Sequence, residues 1–237
     1  MSPNWKYILI FILISIGISG PIHLGYFDEI LVSNFGNKVV DEWFYLLAGL
    51  GPFLAGLVTI QIQGKFSNKI TILGKESFKN SIILILPIIS FTMVGFENNK
   101  GINIHLYGFI YSIINVIYSF SEEFGWRIYL QNSLDGVNKN FKYIIIGFIW
   151  WIWHLRFETN FDIFIFPLIC IVGGYLLGKL TDDTKVIVPV ITIHSLIILL
   201  TNTGMINMNK LIGISLTILC WIIIEQIWKH KSKSLIS

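Results

Sequence analysis

Charge is what this sequence has least of. Asp, Glu, Lys and Arg make up 13% of its 237 residues, while 54% are apolar. Soluble domains carry about a quarter charged residues, so a water-soluble globule is excluded. Cysteine is almost absent too. Cys170 and Cys220 both lie inside apolar runs and read as small buried hydrophobes, so neither a disulfide framework nor a cysteine metal site is encoded. The formal excess of +3 is spread over loops, which argues against a nucleic-acid partner. No repeat, no low-complexity tract and no polar insert long enough to fold alone interrupts the chain. These absences leave one class: an all-α, polytopic membrane helix bundle, residues 1–237 forming a single integral membrane domain.

A membrane-spanning helix takes about 20 mostly apolar residues. Eight segments approach that: about 5–20, 43–62, 81–96, 106–129, 141–157, 161–179, 186–201 and 211–228. The fifth and seventh are short. Lys6 and the YILIFILISIGIS run lack a small-x-small cleavage signature and read as a retained first span. The longest polar connection, QGKFSNKITILGKESFKN, is expected on the membrane surface.

Lysine and arginine then set the orientation, because cytoplasmic loops carry their excess. With eight spans, one side holds Lys6, Lys65, Lys69, Lys75, Lys79, Lys139, Lys142, Lys179, Lys185, Lys229, Lys231 and Lys233. The other holds only Lys38, Lys100, Arg156 and Lys210. Both termini are therefore expected in the cytoplasm. The C-terminal KHKSKS suits anionic lipid headgroups. AGLGPFLAG (48–56) and the Gly174/Gly178 pair read as close helix–helix contacts. A broken helix at Gly51-Pro52 is the alternative for the first.

Against this background a few intramembrane ionisable residues stand out: Glu122, Glu123 and Arg127 late in the fourth span, His154 late in the fifth and His194 within the seventh. Charge at such depth is costly and tends to mark function. The alternative is a structural ion pair with two hydrogen-bonded histidines. Glu123 and Arg127 are four apart and can pair on one helix face. Glu122 points elsewhere and ends a polar stripe, Ser112, Asn115, Ser119, Glu122, so it reads as the carboxylate left over for chemistry. A carboxylate and an imidazole can hold and deprotonate a water. A second imidazole can ligate a metal or donate to an oxyanion. Spacing and composition lead to a polar site inside a helical membrane protein, hydrolytic or otherwise. His23, His105 and His230 read as surface histidines near segment ends. Trp150, Trp151 and Trp153 read mainly as anchoring and packing residues, with Trp150 facing His154 and shaping a pocket.

These residues also resemble a known family. Glu122-Glu123-Phe-Gly-Trp-Arg127 resembles the EExxxR motif of the CPBP family of CAAX proteases and bacteriocin-processing (Abi) proteins. Trp150-Trp-Ile-Trp-His154 is similar to its FxxxH motif, with Trp for Phe, and His194 to the histidine of its HxxxN motif. The resemblance covers about residues 110–203, within a core of about 106–203. It implies an intramembrane endopeptidase in a bacterial plasma membrane, acting on a peptide or membrane-protein substrate at the bilayer. It implies that Glu122 is the general base, that His154 positions the water, that His194 helps hold the oxyanion, and that Glu123 supports the site through Arg127. It further implies either a metal-free mechanism or zinc held by Glu122, His154 and His194. One position departs: Ile198 stands where the family has a polar residue. Asn202, one turn on, is the candidate replacement. The departure favours a rival reading, a non-catalytic relative acting in bacteriocin immunity or as a membrane scaffold. A proton-coupled transporter is a second rival, though repeated halves with paired broken helices are absent.

A depth conflict also follows. A fifth helix starting at the cytoplasmic surface near Phe141 carries His154 roughly 20 Å across at 1.5 Å per residue. Glu122 lies only about two turns before the fourth span regains that surface.

Overall fold

The structure, a computed structural model, describes residues 3–28, 45–201 and 205–234. Lys38 and Asn202 lie outside the described residues. Among the described residues there are eight α-helices and no strand. They are α1 (Trp5–His23), α2 (Leu50–Gln63), α3 (Ser77–Val94), α4 (Ile104–Glu123), α5 (Lys139–Trp153), α6 (Phe166–Thr184), α7 (Val188–Thr201) and α8 (Met208–Ser234). A 3-10 turn, Tyr45–Gly49, leads into α2; π-helical segments continue α4 (Phe124–Gln131) and open α6 (Phe161–Ile165). Six of these helical stretches are long and apolar enough to cross a membrane. The expected short segments are α5 and α7, at 15 and 14 residues. Leu9, Leu13, Leu168 and Ile222, each about half exposed or more, suit lipid rather than water.

The residues group into two compact units. The first comprises Met1–Ile72 and Phe120–Val190; the second, Leu73–Ser119 and Ile191–Ser237.

The first unit packs through missing side chains. A Cβ on Gly51 would lie 1.9 Å from Ser19 Oγ, so α1 and α2 approach as closely as backbone allows. Ser19 uses that approach to donate to Ala48 O at 2.6 Å. Pro52 falls in the first turn of α2, where its lost N–H costs nothing, so the AGLGPFLAG stretch is a packing surface and not a broken helix. Gly174 and Gly178 do the same for α5 and α6: a Cβ at Gly174 would sit 2.7 Å from Gly147 Cα, and one at Gly178 2.6 Å from the Tyr143 ring. Phe11, Trp126, Tyr129, Leu130, Ile146 and Trp153 fill the core between these helices.

The 63–80 connection is not simply surface-bound. Thr71 N–H donates to Lys185 O at 2.9 Å, and Ile187 N–H to Thr71 O at 3.0 Å. Lys69 pairs with Asp135, and the Lys69 N–H donates to Asn132 Oδ1 at 3.3 Å. Asp182 gathers Lys142 Nζ at 2.9 Å, Tyr143 OH at 2.6 Å and Lys185 Nζ at 3.1 Å.

In the second unit α3 packs on α8, and Lys79 pairs with Glu225 at 3.3 Å. Phe91, Phe96, Tyr107 and Tyr111 form an aromatic cluster, with Phe96 and Tyr111 at 5.0 Å.

Candidate active site

The polar stripe of α4 is buried throughout. Ser112, Asn115 and Ser119 are 0% exposed and Glu122 is 1% exposed. Past Glu123 the chain changes from α- to π-helix for eight residues. Such wider turns are rare and gather at functional sites. Gly125, within it, lets α2 come close: a Cβ there would lie 2.5 Å from Pro52 O.

Glu123 and Arg127 pair as their spacing predicts. Arg127 Nε donates to Glu123 Oε2 at 2.7 Å, with both side chains fully buried. The guanidinium also donates through Nη1 to Gly174 O at 3.4 Å, and Gln131 Nε2 to Gly178 O at 2.9 Å. The EExxxR arginine thus ties its own helix to the carbonyls of α6.

Glu122 is not the unengaged carboxylate that helical geometry suggests. Its Oε2 accepts from Trp126 Nε1 at 3.1 Å and from Trp150 Nε1 at 2.7 Å. The first donor is one turn along its own helix; the second comes from α5. Trp150 also engages His154, whose Nδ1 lies 2.8 Å from Trp150 O. A carbonyl can only accept, so Nδ1 carries the proton; in the neutral ring Nε2 is then the acceptor nitrogen. One tryptophan holds the carboxylate with its side chain and sets the histidine tautomer with its backbone.

Trp150 shows where α5 meets the end of α4. α5 begins at Lys139, where Asn138 caps it by accepting from Asn140 N–H at 3.1 Å. His154 is the C-cap residue at the far end. The indole of Trp150, one turn earlier, reaches Glu122.

The turn after His154 is strained. Leu155 has φ 51°, a left-handed conformation costly for a side-chain-bearing residue. Its side chain lies against Gly20 of α1. The His154 ring is enclosed by Trp153 at 4.9 Å, Phe166 at 4.9 Å and Trp150 at 5.9 Å, with His23 at 5.8 Å. His23 is therefore not a surface histidine. The fold returns the end of α1 to the end of α5, which no local pattern announces.

His194 belongs to the second unit, where it is 5% exposed and its ring lies 6.3 Å from Tyr118. Ile198, four residues on, is 8% exposed. A cleft of about 550 Å³ lined by Gln63, Lys65, Phe66, Lys69, Asn132 and Asp135, among others, contains none of the candidate residues. Among the described residues, no group of three His, Cys, Asp or Glu side chains forms a metal-ligand set.

Residues 102–200 match the family model for type II CAAX prenyl endopeptidase, Rce1-like. This segment is Rce1-like. The match agrees with the CPBP resemblance and contains Glu122, Glu123, Arg127, Trp150, His154 and His194. Asn202 and His23 fall outside the Rce1-like segment. No curated protein matches the chain.

Proposed function

We propose that the chain is an intramembrane endopeptidase of the CAAX type, which cleaves a peptide or membrane protein at the bilayer by activating a water between Glu122 and His154. The observation that carries this reading is the Glu122–Trp150–His154 linkage, at 2.7 Å and 2.8 Å. Two indole N–H groups fix Oε2 of the carboxylate. Glu122 takes the proton of the attacking water. His154, neutral and locked in its Nδ1–H tautomer, orients that water through Nε2. Attack on the peptide carbonyl gives a tetrahedral oxyanion, and Glu122 then returns the proton to the leaving amine. On the resemblance, His194 is the candidate for the family's oxyanion histidine, and Asn202 for the polar residue that this chain lacks at Ile198. The bilayer holds the substrate, and the family match favours a prenylated peptide.

Cleavage of a fluorogenic farnesylated peptide ending in Cys-aliphatic-aliphatic-X tests this. Glu122→Gln and His154→Ala are each expected to lower kcat about 100- to 10,000-fold, the range of general-base contributions. Wild-type rates in both variants would sink the reading. 1,10-Phenanthroline with metal analysis of the same sample tests zinc: inhibition reversed by Zn²⁺ assigns a metal, and unchanged cleavage a glutamate-type enzyme.

The apolar, buried Ile198 favours one second reading, a non-catalytic relative that binds a membrane peptide, as in bacteriocin immunity. Under that reading a peptide is bound and left intact, and Ile198→Asn gains activity.

A further inference from the structure

Among the buried polar atoms of the first unit that the mechanism does not use, two lie beside His154. His23 Nε2 and Trp153 Nε1 are both enclosed, and neither has a hydrogen-bond partner among the described residues. Their rings touch edge to face, with centroids 4.6 Å apart at 90°. Both rings also border His154: Trp153 at 4.9 Å and His23 at 5.8 Å, inclined by 38°. Nothing polar among the described residues serves them, although buried N–H and ring-nitrogen atoms are nearly always hydrogen-bonded, to water where the protein offers no partner.

The chemistry of the two atoms narrows the occupant. The indole N–H can only donate, whereas an imidazole nitrogen donates or accepts according to tautomer. A ligand serving both must accept from Trp153 and adapt to His23. Water does so in either tautomer, as it offers two donors and two lone pairs. The two rings are in contact, with centroids at 4.6 Å, so a ligand reaching both nitrogens has to be small. Aromatic rings make up most of the surroundings, with Trp126 5.7 Å from Trp153 and Phe166 beside His154; the nearby Arg156 guanidinium lies 5.3 Å over the Phe166 ring and pairs with Asp162.

We propose that His23 and Trp153 hold an ordered water beside His154, and that His23 is thereby a positioning residue for the hydrolytic site. The proposal rests on the reading of His154 as the residue that orients the attacking water. It makes α1, which lies outside the Rce1-like segment, a contributor to the site. The held water supplies the site from behind His154, where lipid would otherwise exclude solvent.

Two measurements test it. Electron density of the wild-type protein should show a water within about 2.7–3.2 Å of both His23 Nε2 and Trp153 Nε1. A dry junction, or a direct hydrogen bond between the two rings, overturns the proposal whatever the substrate. In the farnesylated-peptide assay, His23→Phe keeps the edge contact with Trp153 and removes the nitrogen. It should lower kcat about 10- to 100-fold with KM within about 2-fold and an unchanged melting temperature. His23→Ala should recover activity several-fold with added imidazole, a rescue that a purely packing role would not give. Glu122→Gln is the control that separates the two readings. Full activity in His23→Phe with loss in Glu122→Gln removes His23 alone. Full activity in Glu122→Gln removes the protease reading itself.

Discussion

Arg127 carries more of the fold than a single ion pair suggests. Its guanidinium neutralises Glu123 and also reaches a carbonyl of α6, at 0% exposure. Removing it strands a carboxylate away from water, and breaking one side of a buried pair costs about 3–5 kcal/mol. Arg127→Ala is expected to destabilise the protein by that amount in detergent unfolding, with Arg127→Lys in between. A loss under about 1 kcal/mol would mean that Glu123 has other means of charge compensation. The same scale shows where sequence reasoning succeeds. The Glu123–Arg127 pair follows from four-residue spacing alone. The Trp150 indole on Glu122 does not, because it joins residues 28 apart and depends on how two helices cross. The partnership of His23 with Trp153 is farther still from any local pattern.

The elements tell a similar story. The eight helices are legible because their apolar runs announce themselves, six of them at membrane length, and the polar breaks between them are short. The π-helical turn over Phe124–Gln131 was not legible, since apolar periodicity does not distinguish α from π over two turns. Gly125 is its visible trace. With Pro52 O 2.5 Å from where a Cβ would stand, Gly125→Ala must push α2 away or straighten the turn. A destabilisation of about 1–3 kcal/mol is expected, as for other overpacked positions, with a larger loss of activity than Gly64→Ala. Equal effects would place the glycine outside the site's support. At the other end of α2, the link between the 63–80 connection and the end of the fourth span is electrostatic. The Lys69 hydrogen bond holds the Asp135 carboxyl below its ordinary range, and Asp135 raises Lys69. A depressed carboxylate contributes stability above its unfolded value, about 3.9, and loses it as pH falls through the lower folded value. The raised lysine contributes below about 10.4 and loses it as pH climbs past its folded value. Exchange protection of the Thr71 and Ile187 amides should therefore be flat between those limits and fall at both extremes. Half-exposed side chains make the effect small and salt-sensitive. Asp135→Asn should remove the acid limb and most of the alkaline limb, because Asp135 is also what raises Lys69.

At the scale of the whole molecule, the lysine count makes a topological prediction. Cysteines introduced at Lys65 and Lys139 should be labelled from the cytoplasm, and one at Lys100 from the opposite face. Labelling of Lys65 and Lys100 from the same face would overturn the eight-span orientation. The molecule also carries its own reporter. Trp126 and Trp150 donate to Glu122, and the Trp126 and Trp153 rings lie 5.7 Å apart at 77°. Indoles that close couple their electronic transitions, and near-ultraviolet circular dichroism registers fixed aromatic packing. Protonation of the carboxylate, or entry of a peptide beside it, changes the field at the very chromophores that hold it. The optical spectrum of the unlabelled protein should thus follow the state of Glu122 directly, before any product is formed.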